Sequence, residues 1–239
     1  MSFQTFCLTL LFFSTSAMPK VAPALAAPFA PPPRRGAPDS TAGGGSRPIA
    51  ASCTLDAQSG QSAIALAPQS FVGLTHQATP NLWFYVPTNE AQMIEISIFD
   101  EQLNGLVQFA VGDPEIIGVH AVDLSAYITL SAGVPYYWTA AFVCDPNRRT
   151  EDWIVGGWIQ YESITTRKQQ ALLARSPIEQ IEQHAGTGYW YDALDVMLSL
   201  DPEDFPPATL RSTWNRLVQQ TAIALNWTTL NNAPRTFKQ

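Results

Sequence analysis

The chain offers few residue patterns that could support chemistry. Its three histidines, His76, His120 and His184, lack the spacing of metal-binding motifs. The sequence contains neither a serine-nucleophile elbow nor a phosphate-binding glycine loop. His120 falls within a strand pattern, which is more typical of a solvent-facing or hydrogen-bonded core histidine than of a catalytic one. We therefore predict no catalytic residue, no metal ligand and no cofactor.

Acidic residues cluster at three places, namely Asp113-Pro-Glu115, Glu151-Asp152 and Asp201-Pro-Glu-Asp204. Such clusters could supply calcium ligands or a pair of carboxylates for hydrolysis. None of them has the spacing of an EF-type calcium loop. Turn formation and favourable charge at helix N-termini account for all three clusters, so we interpret them as structural.

The aromatic residues are the most suggestive candidates for binding. Trp83 and Tyr85 alternate with Leu82, Phe84 and Val86 in a segment that predicts a strand. If the latter three face the core, Trp83 and Tyr85 project outward, where they could stack on a sugar or a partner. The alternative is that this strand is buried on both faces, or that the C-terminal helices cover it.

The stretch from Gly133 to Asp145 predicts the strand around which the fold is built. Alternate residues from Tyr136 to Cys144 share one face, and the opposite face is also largely apolar. A strand that is apolar on both faces is expected at the centre of a sheet. Trp138 lies in the middle of this strand, and we predict that it belongs to the core.

Other short apolar segments surround this central strand. They cover residues 82–86, 93–99, 106–111, 119–124, 127–130 and 153–161. Strands that recur at roughly 8–12 residues predict an antiparallel sandwich or barrel, here over residues 50–164. The strands at 136–144 and 153–161 should pair as a hairpin.

After Thr165 the period of the apolar residues changes from that of strands to that of helices. Helices are predicted at 166–175, 177–186, 189–200 and 207–225. Ser176-Pro-Ile-Glu179 forms a capping box that begins the second of them. We predict a small antiparallel helical unit over residues 165–228, packed on the β-domain through Trp190 or Trp214. Residues 229–239 are predicted to be a frayed terminus.

The N-terminal segment is typical of an exported protein. A short apolar run at 6–13 precedes Ala24-Leu-Ala26, so a secretory signal peptide is predicted over residues 1–27. The run is too short to span a bilayer, and no transmembrane helix is predicted in the mature chain. Residues 28–49 are rich in proline, glycine and arginine and predict a disordered linker. The expected location is the periplasm, the cell envelope or the exterior.

Two cysteines remain once Cys7 leaves with the signal peptide. Cys53 and Cys144 are an even pair in an exported chain, where disulfides persist. We favour a disulfide between them over two free buried thiols.

Composition and charge limit the range of functions. The chain has 239 residues, of which 46% are hydrophobic and 14% are charged, with a net charge of −7. This length suffices for one sizeable core. The acidic balance argues against a nucleic-acid partner, which would require a basic surface.

Several strings, taken together, resemble one family. They are Arg35-Gly-Ala-Pro38, Gly43-Gly-Gly-Ser-Arg47, Gly73-Leu-Thr75, Pro80-x-Leu-Trp-Phe-Tyr-Val-Pro87, Cys144-Asp-Pro146 and Tyr189-Trp-Tyr-Asp-Ala-Leu194. The set resembles the cyanobacterial secreted family called domain of unknown function 928, over nearly all of the mature chain. That family has no established activity, so the resemblance implies a compartment and an architecture but no mechanism. Gly133-x-Pro-Tyr-Tyr-Trp138 is also similar to a strand of immunoglobulin-like modules, which implies an immunoglobulin-like β-sandwich.

We predict from these observations an exported, non-enzymatic binding or interaction module. Its partner would be an envelope protein or a polysaccharide. One alternative is an envelope hydrolase built on a β-sandwich, and another is a structural or chaperone-like envelope protein. A concave pocket with two convergent carboxylates about 5–10 Å apart would favour the hydrolase. A flat exposed aromatic patch would favour binding. The oligomeric state is not predicted.

Overall fold

The computed structural model describes residues 29–30, 62–87, 91–111 and 117–238. Strands fill the first part of this chain and helices most of the second, so the fold is mainly β with helices in the C-terminal region. The predicted signal peptide, nearly all of the predicted linker and Cys53 lie outside the described residues.

The larger sheet has five strands in the order β2-β8-β7-β4-β5. Their bounds are β2 Gly73–Thr75, β4 Met93–Phe99, β5 Gly105–Val111, β7 Pro135–Val143 and β8 Trp153–Tyr161. Strand β7 occupies the middle, as predicted, and pairs with β8 as the predicted antiparallel hairpin. Tyr136, Trp138 and Phe142 are all buried on one face of β7, which confirms that Trp138 belongs to the core.

The smaller sheet has four strands in the order β1-β3-β6-β9. Their bounds are β1 Ile64–Ala65, β3 Asn81–Val86, β6 Gly118–Asp123 and β9 Arg235–Lys238. Strand β9 runs parallel to β6, with Val119 opposite Arg235. The prediction of a frayed terminus over 229–239 is therefore wrong, because backbone hydrogen bonds to β6 hold residues 235–238 in the sheet.

Most strand pairs are antiparallel, as predicted, but each sheet also contains one parallel pair, so the prediction of an antiparallel architecture holds in part. Strand β2 runs parallel to β8, and β9 runs parallel to β6. Neither sheet closes into a barrel within the described part of the chain. The buried side chains of both sheets belong to a single hydrophobic core, in which Phe84 of β3 meets Phe142 of β7 edge to face. The finer prediction, an immunoglobulin-like sandwich, stays a prediction.

The alternation of apolar and polar residues in the sequence located a strand correctly where only one face of that strand is buried. In β4, Ile94, Ile96 and Ile98 are at most 2% exposed, whereas the intervening residues are half-buried. The predicted strand at 127–130 is wrong. A 3₁₀ turn at Leu124–Ala126 precedes it, and the backbone of Leu130 bonds to Ala78 in an isolated contact rather than a strand ladder.

Five helices follow β8: α1 Thr166–Leu173, α2 Pro177–Gly186, α3 Trp190–Ser199, α4 Pro207–Val218 and α5 Trp227–Asn232. Helix α2 begins with the predicted capping box, in which Ser176 and Glu179 satisfy each other's backbone N–H groups. Helix α4 ends seven residues before the predicted Leu225, and a turn with Ala222 at φ 58° separates it from α5. Among the described residues, no helix is both long and apolar enough to cross a membrane.

Helix α3 lies against the sheets. The indole N–H of Trp190 donates to the carbonyl oxygen of Leu66 at 2.8 Å, just beyond β1. Trp214 instead donates to the carbonyl oxygen of Leu225 at 3.0 Å, within the helical region. Of the two tryptophans considered for the contact between helices and sheets, the structure therefore places Trp190 there.

Phe29 lies inside the core although the sequence predicted a disordered linker from residue 28. Its side chain is 1% exposed and stacks on Phe71 at 5.3 Å between ring centroids. It also lies edge to face with Trp190, with 5.4 Å between ring centroids, and the backbone N–H of Ala30 donates to the carbonyl oxygen of Ala185. The linker prediction is wrong at these two residues because one aromatic side chain is enough to anchor the segment in an apolar pocket.

Candidate functional site

A cleft of about 540 Å³ lies between helices α1, α2 and α3 and the segment that follows strand β2. Its walls combine polar and aliphatic side chains in similar numbers. The polar lining includes His76, Gln77, His184, Asp192 and Asp195. A second cavity of about 400 Å³ adjoins the first and shares His76, Ile164, Leu172 and His184 with it. We refer to the two together as the helical cleft, and to its parts as the larger and the second cavity.

Helix α3 carries both carboxylates of the larger cavity. Asp192 and Asp195 are three residues apart and therefore lie on the same side of the helix. The rest of this helix is strongly apolar, and seven of its ten residues are buried. Packing of the apolar residues against the sheets fixes the helix and directs the two acids toward the start of the β2–β3 connection.

Asp192 is buried and bonded to the backbone. Its Oδ2 atom accepts the N–H of His76 at 2.9 Å, and the Thr75 side chain also hydrogen-bonds to the carboxyl group. Burial raises the pKa of Asp192 to about 7, and the neighbouring Asp195 carboxylate adds to this rise. A carboxyl group with this pKa could exchange a proton near neutral pH.

Asp195 is the acceptor for three side chains. It accepts hydrogen bonds from Gln77 at 2.9 Å, from Asn81 at 3.2 Å and from the indole N–H of Trp83. Burial raises its pKa, whereas these three donors oppose the rise. The donors belong to β3 and the turn before it, so Asp195 ties helix α3 to the smaller sheet.

Two histidines form the wall that both cavities share. The ring of His76 stacks on Tyr189 with 3.6 Å between centroids, and His184 lies 5.9 Å from His76. Burial, with a smaller effect from the nearby His76, lowers the pKa of His184 to about 4. Burial also lowers the pKa of His76. Both rings are therefore neutral at neutral pH and offer a flat, weakly polar surface.

Helix α1 forms the outer wall of the cleft and is loosely held. It has no buried residue, although Leu172 is half-buried and lines both cavities. Leu173, which lines the larger cavity, is 67% exposed. An apolar side chain that water reaches to this extent is available to a ligand in the cleft.

The aromatic residues predicted to bind a ligand lie elsewhere. Trp83 is 0% and Tyr85 is 6% exposed, so neither presents an open face for stacking. Strand β3 is buried on both faces, because every residue from Leu82 to Val86 is buried in the core. The alternative stated from the sequence, burial on both faces, is the one that the structure supports, and Trp83 serves as a donor to Asp195 instead.

Other residues considered from the sequence have local roles. In the Glu151-Asp152 cluster, Asp152 pairs with Arg149, which also pairs with Glu95 at 2.6 Å. Asp201 caps the 3₁₀ turn Pro202–Asp204 through the N–H of Glu203. Asp113 and Glu115 lie outside the described residues. Cys144 is buried just after β7, and since Cys53 is not described, their disulfide stays a prediction.

Sequence reasoning missed the helical cleft. His76 and His184 are separated by more than a hundred residues, and only the docking of α2 and α3 brings their rings together. One signal was present: Asp192 and Asp195 stand in an otherwise apolar helix. Acidic residues at such positions must find partners when the helix is buried, which marks them as structural or functional.

A family model described as "Domain of Unknown Function (DUF928)" matches residues 42–233. No curated protein and no solved structure is detectably similar to the chain.

Proposed function

The chain belongs to the DUF928 family, which is defined without an activity, and we propose from the helical cleft that it is an exported binding module for a small ligand. The observation that carries the proposal is the cleft itself, two adjoining cavities of about 540 and 400 Å³. Pockets of a few hundred Å³ are typical of small-molecule sites, and the lining of this cleft combines polar and aliphatic side chains.

The polar groups of the cleft favour binding over catalysis. Asp195 is occupied by Gln77, Asn81 and Trp83, and Asp192 by the backbone of His76. Carboxylates that already accept structural hydrogen bonds hold the walls in place and have little capacity left for a substrate. The walls are thus preorganised, which reduces the entropy lost when a ligand binds.

Export is supported by the N-terminal sequence. The apolar run at 6–13 and the Ala24-Leu-Ala26 site are the pattern of a secretory signal, and the proposed location is the periplasm or the cell envelope. In that compartment the ligand would be an envelope metabolite, or the end of an envelope polysaccharide or protein chain that fits the cleft.

A comparison of two tryptophan variants tests this proposal. Gln169 lines the larger cavity, whereas Gln170, its neighbour on α1, does not, and both are exposed. We expect ligands from an envelope extract to be retained by the purified chain and by Gln170→Trp, and to be lost in Gln169→Trp. Native mass spectrometry of the eluted complexes provides the measurement. Equal retention by all three proteins would place binding outside the cleft.

A second candidate function, hydrolysis, is favoured by one observation. Asp192 lines the larger cavity and has its pKa raised to about 7, a value suited to a general acid or base. If the protein is a hydrolase, Asp192→Asn abolishes turnover of a retained ligand but leaves its binding intact. If it is a binding module, the ligand is recovered unchanged from the wild-type chain.

A further inference from the structure

We propose that the helical cleft takes an amphipathic anion, with its anionic head in the second cavity and its apolar body along Leu172 in the larger one. This inference rests on the proposed function, because it names the ligand class for the same cleft.

The charged residues around the second cavity are all basic. They are Lys168 and Arg175, since His76 and His184 are neutral at neutral pH, and none of the described lining residues is acidic. The chain as a whole carries a net charge of −7, so a cavity with this lining contrasts with the rest of the molecule. A cavity whose only charged lining residues are cations draws anions to itself and favours an anionic group once it is bound.

Two acids near the second cavity, Glu179 and Glu162, are engaged by other partners. Glu179 lies close enough to Arg175 to interact with its charge, but its carboxylate accepts from both the backbone and the hydroxyl of Ser176 in the capping box. Glu162 accepts from Gln160 at 2.7 Å. Neither acid lines the second cavity, and neither forms a salt bridge with Lys168 or Arg175 in the described part of the chain. Both cations therefore remain available to an anionic group.

Polar groups that suit an anionic head also surround the second cavity. Ser163, Thr165, Thr187 and Gln183 line it, in addition to the two cations. Thr187 already donates its hydroxyl to the carbonyl oxygen of Gln183 at 2.7 Å. The Gln183 amide and the Ser163 hydroxyl are the neutral donors that stand beside Lys168 and Arg175.

The larger cavity provides for an apolar body. Its lining includes Leu172, Leu173, Pro177, Val196 and Leu200. None of these five side chains is fully buried, and Leu173 is 67% exposed. Burial of such aliphatic surface by a ligand stabilises the complex.

The position of the acids fixes the orientation. Asp192 and Asp195 line the larger cavity only, whereas Lys168 and Arg175 line the second cavity only. The cations therefore attract an anionic head to the second cavity, whereas the described lining of the larger cavity contains no Lys or Arg. Leu172 and Ile164 belong to both linings, so they connect the two ends with an apolar surface.

Three probes of equal chain length test the inference: decanoate, decanol and decyltrimethylammonium, each below the concentration at which it aggregates. We expect decanoate to bind the purified chain about tenfold or more tightly than the cationic probe, and to weaken as salt is added. Isothermal titration calorimetry gives the affinities. Chemical-shift changes at Leu172 and His184 locate the ligand.

The double variant K168Q/R175Q removes the charges without disturbing the core, because both side chains are exposed. We expect it to weaken decanoate binding about tenfold and to leave decanol binding unchanged. The matched control is R167Q, which removes an exposed cation from the same helix outside both linings and should have no effect.

The possible results separate this inference from the proposed function. If the three probes bind equally well, or if K168Q/R175Q changes nothing, the charge preference is wrong and a neutral-ligand cleft remains. If none of the probes binds, the amphipathic ligand class is wrong. The proposed function is judged separately, by whether Gln169→Trp loses the ligand from the envelope extract.

Discussion

The indole N–H of Trp138 donates a hydrogen bond to the hydroxyl group of Tyr191 at 2.9 Å, which joins the central strand β7 to helix α3. Tyr191 in turn donates to the carbonyl oxygen of Trp158 in β8 at 3.1 Å. Both partners are essentially inaccessible to water, at 0% and 1% exposure. The larger sheet and the helices therefore share one buried polar network, and we expect them to unfold together.

The first prediction concerns this network. Tyr191→Phe leaves the Trp138 N–H and the Trp158 carbonyl without their buried partner, so it should lower the free energy of unfolding by about 1–3 kcal/mol. Urea denaturation should still show a single transition at both a sheet probe and a helix probe. The control is Tyr127→Phe, at a residue that is 41% exposed, where the loss should be close to zero. Two separate transitions would show that the helices form an independent unit.

The second prediction concerns Phe29. Because its ring is buried between Phe71 and Trp190, Phe29→Ala should destabilise the fold by about 3–5 kcal/mol. Leu173→Ala, which truncates a side chain that is 67% exposed, should cost far less. Thermal denaturation of both variants provides the comparison. A loss below about 1 kcal/mol for Phe29→Ala would mean that this segment is not anchored in the core in solution.

The third prediction concerns the close approach of β8 to the chain after β1. A Cβ atom added at Gly157 would lie 2.4 Å from the Cβ of Ala67, whereas one at Gly186 meets nothing within 4 Å. Gly157→Ala should therefore cost about 1–3 kcal/mol through overpacking. Gly186→Ala should be neutral or slightly stabilising, because it reduces the freedom of the unfolded chain. Equal effects of the two substitutions would contradict the observed packing of β8.

The fourth prediction concerns pH. The pKa of His184 falls to about 4 in the fold, below its ordinary value of 6.5, so between these values the unfolded chain binds a proton that the folded chain does not. The His184 contribution to stability should therefore fall as pH decreases from 6.5 to 4, so the difference between wild type and His184→Gln should change by about 1–3 kcal/mol over this range. Denaturation midpoints across this range provide the measurement. A constant difference between variant and wild type would refute the burial of a neutral His184.

Asp192 acts in the opposite direction and serves as the control for this experiment. Its pKa rises from 3.8 to about 7, so the folded chain holds a proton that the unfolded chain has released. Its contribution to stability is present below pH 4 and is lost as pH rises to 7. Asp192→Asn should remove this dependence and leave the His184 effect in place.

The fifth prediction concerns the cysteines. Cys53 and Cys144 should be joined in the exported chain, so thiol labelling of the denatured, unreduced protein should detect neither of them. Reduction should expose two thiols and lower stability by about 4–5 kcal/mol, since the bond closes a loop of about ninety residues. Labelling of Cys144 before reduction would exclude the bond.

The parts of the fold that depend on local sequence were predictable. The strict alternation in β4 and the capping box of α2 each place residues within one element, and both were located to within a residue. The short strands β1, β2 and β9 were missed because they are held by partners far along the chain. A strand of two or three residues has no readable period of its own.

The candidate site was unpredictable for the same reason. His76 meets Asp192 across 116 residues of sequence, and Trp83 meets Asp195 across 112. In both pairs, no sequence motif around either residue indicates its partner. Trp83 also shows where alternate positions along a strand fail to predict exposure, because a strand covered on both faces has no exposed side.

The parallel pairing of β9 with β6 has a kinetic consequence. Val119 lies opposite Arg235, so this ladder joins positions that are 116 residues apart (235 − 119). A pair of strands this far apart in sequence cannot form hydrogen bonds until the large loop between them has closed. Proteins rich in such contacts fold slowly. Until residues 235–238 arrive, the hydrogen-bonding edge of β6 is open to strands from other molecules. We therefore expect refolding to be slow and its yield to fall as protein concentration rises.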